Sequence, residues 1–97
     1  MPHSHKDHAN KDKAIINFKK AQSHIARIQK MLAEDAYCID IMQQNLAVMG
    51  MLKSAHQMLM EDHLHSCFNS AMKSDNELKK SQMTEEILNV TKLLNRV

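Results

Sequence analysis

From Ala36 to Met72 the chain contains no proline and one glycine, Gly50, and the only proline of the whole sequence is Pro2. A stretch this long with so few helix-breaking residues settles most readily into a long α-helix. Its apolar residues cover more than one face. Cys38, Ile41, Val48, Leu52, Ala55 and Leu59 form one seam, and Met42, Leu46, Met49, Met60 and Leu64 run beside it. A helix with so wide an apolar surface meets more than one neighbour, as in the core of a bundle. The chain therefore reads as an all-α, three-helix protomer organised around a long second helix, about residues 36–72.

A first helix is expected over about residues 10–32. Ala14, Phe18, Ala21, Ile25, Ile28 and Leu32 follow alternating steps of four and three, which is an amphipathic seam. The run Ala33–Ala36 interrupts it, and Asp35 is the expected N-cap of the second helix. Residues 73–83 are polar and read as a connector or a frayed end. Thr84 is expected to cap a third helix over about 85–97, with Glu85 and Glu86 at its positive end and Ile87, Val90, Leu94 and Val97 as its apolar stripe. Residues 1–9 read as a mobile tail rich in histidine (His3, His5, His8).

The 97 residues make one domain, with two Phe, one Tyr and no Trp, so the apolar content is mainly Leu, Ile, Ala and nine Met. Long helices that lack a compact core of their own find their burial in an oligomer, and an obligate helical assembly is expected. No apolar run approaches the roughly 18 residues needed to span a bilayer. The N-terminus is too polar for a signal peptide, so a cytoplasmic protein with reduced thiols is expected and no membrane partner. The net charge of +2 conceals an asymmetry: seven Lys/Arg against two Asp in residues 1–30, and six against nine acids thereafter. Lys13, Lys20 and Arg27 recur every seven residues on one flank, with Lys19 and Lys30 further round, so the first helix suits an anionic partner.

The chemistry sits in three residues. Cys38 and Cys67 are the only cysteines, and His63 precedes Cys67 by four positions, which on an α-helix places both on one face. Two thiolates and an imidazole form a soft donor set that favours Cu(I), with Zn(II) or Ni(II) as competitors. Three donors suit trigonal Cu(I), whereas zinc wants a fourth, available from His3, His5 or His8. A purely structural role accounts for the same residues, with the cysteines as small buried side chains and His63 on the surface. Cys38 and His63 on one unbroken helix are about 37 Å apart at 1.5 Å per residue. They cannot share an ion within a chain, but an antiparallel partner brings Cys38 of one chain beside His63 and Cys67 of the other. The two-fold axis then passes near residue 51, beside Gly50. His63 and Cys67 also mimic a Cys/His nucleophile pair, but no orienting carboxylate or oxyanion hole is readable, so no enzyme is expected.

The order Tyr37-Cys38-Ile39-Asp40, Gln43-Gln44, then Glu61-Asp62-His63-Leu64-His65-Ser66-Cys67 resembles the copper-sensitive operon repressors, within a wider family of copper, nickel/cobalt, formaldehyde and persulfide sensors. The resemblance runs from about Lys11 into the last helix. It implies an antiparallel dimer with intersubunit metal sites at Cys38, His63 and Cys67, assembled into a disc-like homotetramer. It also implies that the chain represses transcription on double-stranded operator DNA and lets go on binding Cu(I). Tyr37 matches a tyrosine standing just outside the ligands. The glutamate that joins it in relatives falls by counting on Met83, with Glu85 and Glu86 nearby.

Departures from the pattern lie on the expected DNA surface. Where relatives carry arginine in helix one followed by a Gly-Gln pair, this chain has Asn17, Ser23 and His24, and a helix-two arginine corresponds to Met49, with Lys53 one turn on. The expected DNA contacts are thus Lys13, Lys19, Lys20, Arg27 and Lys53, as phosphate-neutralising charges. Alternatives within the family are a Ni(II) or Co(II) sensor recruiting a tail histidine, or a formaldehyde or persulfide sensor. Outside it stands a helical metal-buffering protein without DNA binding. His24 and His56 read as surface or interface residues, and the methionines of helix two as adaptable core.

Overall fold

The computed structural model describes residues 10–96; His3, His5, His8 and Val97 lie outside them. The chain forms α1 (Lys11–Ala33), α2 (Cys38–Asp62), a π-helical turn (His63–Phe68), α3 (Asn69–Met72) and α4 (Glu77–Leu94), with no strand among the described residues. α2, the π-helical turn and α3 run without interruption and form one rod. The molecule measures 59 × 28 × 16 Å.

α1 and α2 pack as an antiparallel hairpin. The face that α1 turns inward is narrower and more polar than its hydrophobicity suggests. Ala14 and Ala21 are buried, and Asn17, His24, Ile28 and Met31 are half-buried. Phe18, Ile25 and Leu32 of the expected seam are exposed instead. Small residues let two helix backbones approach closely, and the bulky members of the seam are displaced to its flank. On α2 the reciprocal buried residues are Val48 and Ala55. Between the helices, His24 Nδ1 and Gln44 Oε1 share a hydrogen bond of 3.3 Å.

The α1–α2 turn corrects one expectation. Asp35 does not cap α2: it adopts a left-handed backbone, φ 54°. Its N–H reaches the Leu32 carbonyl at 3.3 Å, while the Ala36 N–H reaches that of Met31 at 2.9 Å. This is the Schellman closure of α1, with an aspartate where glycine is usual. Tyr37, in an extended conformation, is the residue before α2. Asp35→Gly removes the Cβ penalty of the left-handed region. It is expected to stabilise the fold by up to about 1 kcal/mol, read as a higher denaturant midpoint.

The last helix corrects a second. α4 begins at Glu77, eight residues before the expected start, and ends at Leu94. Asn76 caps it by accepting from the Lys79 N–H at 3.1 Å, and Lys80 Nζ pairs with Glu77 at 3.2 Å. Thr84 is no cap: mid-helix, its hydroxyl donates to the Lys80 carbonyl at 2.8 Å. Glu85 and Glu86 consequently lie one to two turns inside the helix, exposed and away from its positive end. Lys80, Met83, Ile87 and Leu94 form the more sheltered stripe of α4. Its C-terminal end comes back beside α2, where Leu94, Met49, Leu52, Lys53 and His56 surround an apolar cavity of about 220 Å³.

Among the described residues the buried apolar set is Ala14, Ala21, Val48, Ala55 and Ala71, and no large side chain is fully buried. Sixteen large apolar side chains among the described residues are exposed, among them Leu46 at 64% and Leu32 at 59%. Apolar surface left uncovered on this scale is typical of a chain with further partners.

Candidate metal centre and basic helix

Cys38 is the first residue of α2, exposed, with the exposed Tyr37 immediately before it. His63 and Cys67 both lie in the π-helical turn and are half-buried. On a straight α-helix, four residues overshoot a full turn by about 40°. In a turn closed by i→i+5 bonds, four residues fall short of a full turn instead. The pair therefore shares a face, but with a lateral offset opposite to the one that α-helical spacing predicts. Polar side chains in and just after the turn bond to its carbonyls: Ser66 Oγ donates to the Asp62 carbonyl at 2.7 Å, and Asn69 Nδ2, at the start of α3, to that of His65 at 3.3 Å. π-turns of this kind recur at functional sites.

The rod from Cys38 to Met72 keeps Cys38 well away from His63 and Cys67. Among the described residues, no three His, Cys, Asp or Glu side chains converge as an ion-binding group. One chain thus keeps its candidate donors apart, a thiol at the start of α2 and an imidazole and a thiol about 25 residues on. Two thiolates and an imidazole are a soft donor set of the kind that suits Cu(I).

Sequence reasoning missed Asp62, the residue before His63 and the one buried charged side chain among the described residues, 4% exposed. Both of its carboxylate oxygens accept from the backbone N–H of Asn10, at 3.2 and 3.1 Å. Asn10 is the N-cap position of α1 but makes no cap with its own side chain. Its Nδ2 donates instead to Glu61 at 2.9 Å. The end of α2 thus caps the start of α1, with anionic carboxylates at the positive end of the α1 dipole. The only trace in the sequence is negative: Asn10 is followed at the third helical position by Lys13, so the local capping box is absent.

Lys13, Lys19, Lys20 and Arg27 are all exposed on α1 and form no ion pair among the described residues. Lys30 is paired with Glu34 at 3.9 Å. Lys53 is exposed but lies on α2 at the rim of the cavity under Leu94, apart from the α1 stripe. Asn17 is half-buried toward α2, and Met49 is half-buried at the cavity, with its sulfur 3.8 Å from Asn45 Nδ2. His56 Nε2 is buried without a hydrogen-bond partner among the described residues.

The described chain is thus a hairpin of two long helices with a candidate soft donor pair in a π-helical turn and a cationic face on its first helix. The sequence from residue 10 to residue 96 matches the family model described as metal-sensitive transcriptional repressor, and the chain belongs to that family. The copper-sensing transcriptional repressor CsoR of Bacillus subtilis (strain 168) is 37% identical over 90 residues, covering 92% of this chain and 85% of that protein. CsoR of Mycobacterium ulcerans (strain Agy99) is 38% identical over 69 residues, 71% of this chain but 59% of its own length. The copper-sensing transcriptional repressor RicR of Mycobacterium tuberculosis (strain ATCC 25618 / H37Rv) is 32% identical over 62 residues, 64% of this chain and 65% of that protein. The chain thus spans about three fifths of the mycobacterial relatives it matches and most of the Bacillus one. No described helix is long and apolar enough to cross a membrane.

Proposed function

We propose that this protein is a Cu(I)-responsive repressor: a cytoplasmic homotetramer, built as a dimer of antiparallel dimers, that binds double-stranded operator DNA and leaves it when copper binds. The observation that carries this reading is the division of the donor set. Cys38 stands at one end of a continuous helical rod and His63 with Cys67 toward the other, so the halves complement each other only across two antiparallel chains. Gly50 lies between them, exposed, with nothing within 4 Å of the space a Cβ would fill, which leaves room for a second backbone. The exposed apolar stripes of α1, α2 and α4 supply the remaining contact surface.

In this reading the metal supplies a soft Lewis acid that holds three donors at fixed distances. The protein's part is to carry those donors on the rods of two chains, so that closing the site changes the angle between them. Tyr37, next to Cys38 and exposed, stands at the mouth of the closed site. Glu85 and Glu86 reach it only from a helix packed against the assembled dimer. The α1 helices present Lys13, Lys19, Lys20 and Arg27 to phosphates, and Lys53 lies at the margin of that surface. A geometry that binds copper better binds DNA less well, and linkage requires that DNA lower the affinity for copper by the same factor.

A gel-shift series with the apo protein, repeated with Cu(I), Ni(II), Co(II), Zn(II) and formaldehyde, tests the reading. DNA should be retained by the apo protein and released by Cu(I) at about one ion per chain. Release by Ni(II) or Co(II) alone, lost on deleting residues 2–8, would transfer the role to a site completed by His3, His5 or His8. Retention of DNA under every metal but release by formaldehyde would assign Cys38 to an aldehyde sensor.

A further inference from the structure

The contact between Asp62 and Asn10 joins two parts of the molecule that the repressor reading treats separately. On one side, Asp62 is bonded in sequence to His63, so their Cα atoms are held about 3.8 Å apart. Its carbonyl is locked into the π-helical turn by Ser66 at 2.7 Å. On the other side, its carboxylate accepts from the backbone N–H of Asn10, the N-cap residue of α1, whose opening residues include Lys11 and Lys13. Hydrogen bonds to a carboxylate are the stronger kind, and Asp62 is 4% exposed while its partner Asn10 is half-buried. Glu61 adds a second tie to the same residue at 2.9 Å. The partners are 52 residues apart in sequence, and no other side chain among the described residues caps α1 at that end.

We infer that Asp62 is the positioning residue through which the His63/Cys67 half-site controls the N-terminal end of the basic helix. Fixing His63 and Cys67 on an ion rotates or shifts the π-helical turn, the Asp62 carboxylate moves with it, and the start of α1 is either re-aimed or released. Lys13, the proposed DNA contact nearest that end, is thereby coupled to the occupancy of a site to which it contributes no ligand, and the exposed Lys11 moves with it. This inference rests on the repressor reading above, and its test separates the two.

Full-length Asp62→Ala and Asp62→Asn are compared with the wild type in three measurements: Cu(I) affinity by chelator competition, operator affinity with and without Cu(I), and exchange of the Asn10 backbone amide by NMR. The donors are untouched, so Cu(I) affinity should stay within about threefold, whereas coupling typically amounts to about 5–150-fold and should fall to a small fraction of the wild-type value in Asp62→Ala. The Asn10 amide should respond to Cu(I) in the wild type and exchange rapidly in Asp62→Ala regardless of copper. Asp62→Asn, which keeps one acceptor and the same size, should recover part of both effects and carries the measurement if the alanine variant fails to fold. Wild-type coupling in Asp62→Ala, or a wild-type Asn10 amide indifferent to Cu(I), overturns the inference. If the wild type itself stays on DNA with Cu(I), the repressor reading fails, and the Asn10 exchange alone decides whether the half-site and α1 are coupled.

Discussion

Two variants that each bind almost no copper should regain it when mixed. Cys38→Ala removes the lone thiol, and Cys67→Ala breaks the imidazole–thiol pair. Loss of a direct donor is expected to cost more than the roughly 10–100-fold that loss of an outer-sphere partner costs. Each homogeneous variant should therefore stay on DNA at copper levels that release the wild type, while its helices persist, because Cys38 is exposed and Cys67 half-buried. In an isologous dimer every contact occurs twice. A mixed dimer thus has one site with all three donors and one with His63 alone. Random re-association of equal amounts, after denaturation and refolding, should restore about one quarter of the wild-type Cu(I) capacity, since half the dimers are mixed and each has one intact site. Spectroscopy of that fraction should show two sulfurs and one nitrogen. A site within one chain predicts no recovery at all, and recovery would be impossible if Cys38 and Cys67 served only as packing residues.

The parts of the fold that were legible beforehand are those set by strong local rules. The absence of Pro and the single Gly between residues 36 and 72 announced the rod, and the three-and-four spacing announced α1. What escaped was decided by tertiary context. Phe18, Ile25 and Leu32 are more hydrophobic than Ala14, Asn17 or His24, yet the smaller and more polar set faces α2 because the helix pair packs closely and leaves the bulky residues for other surfaces. Asp35 belongs to the residue types that favour N-caps, but the same types tolerate a left-handed backbone, and closing α1 took precedence. Residues 77–83 lack an apolar rhythm, but their Glu, Leu, Lys, Gln and Met are good helix formers and Asn76 caps them, so propensity won over periodicity. The donor types and spacings of the candidate site were readable from the sequence. The π-turn was not, since a shift of one bond in register leaves no residue pattern. Nor was the Asp62–Asn10 contact, whose two ends give no local signal.

The other large effect should appear on DNA. α1 exposes Lys13, Lys19, Lys20 and Arg27 with no carboxylate paired to any of them among the described residues, so their full charge is available to phosphates. Each neutralised phosphate releases condensed counterions, and log affinity should fall against log salt with a slope near −0.9 per phosphate. Lys20→Glu both removes a cation and adds an anion at the middle of this surface. Affinity for operator and for unrelated DNA should drop together, by about tenfold or more for each phosphate that Lys20 neutralises, with the salt slope shallower by roughly 1 per phosphate. Lys30→Ala is the internal comparison. Lys30 already shares its charge with Glu34, so its removal should cost clearly less. A further contrast comes from Lys53, which sits at the rim of the cavity on α2; Lys53→Glu should weaken binding only if the DNA reaches beyond α1. Binding by Lys20→Glu at wild-type strength would move the DNA surface off this helix. A wild-type protein that ignores DNA at low salt while still taking up Cu(I) would be a metal-buffering member of the family.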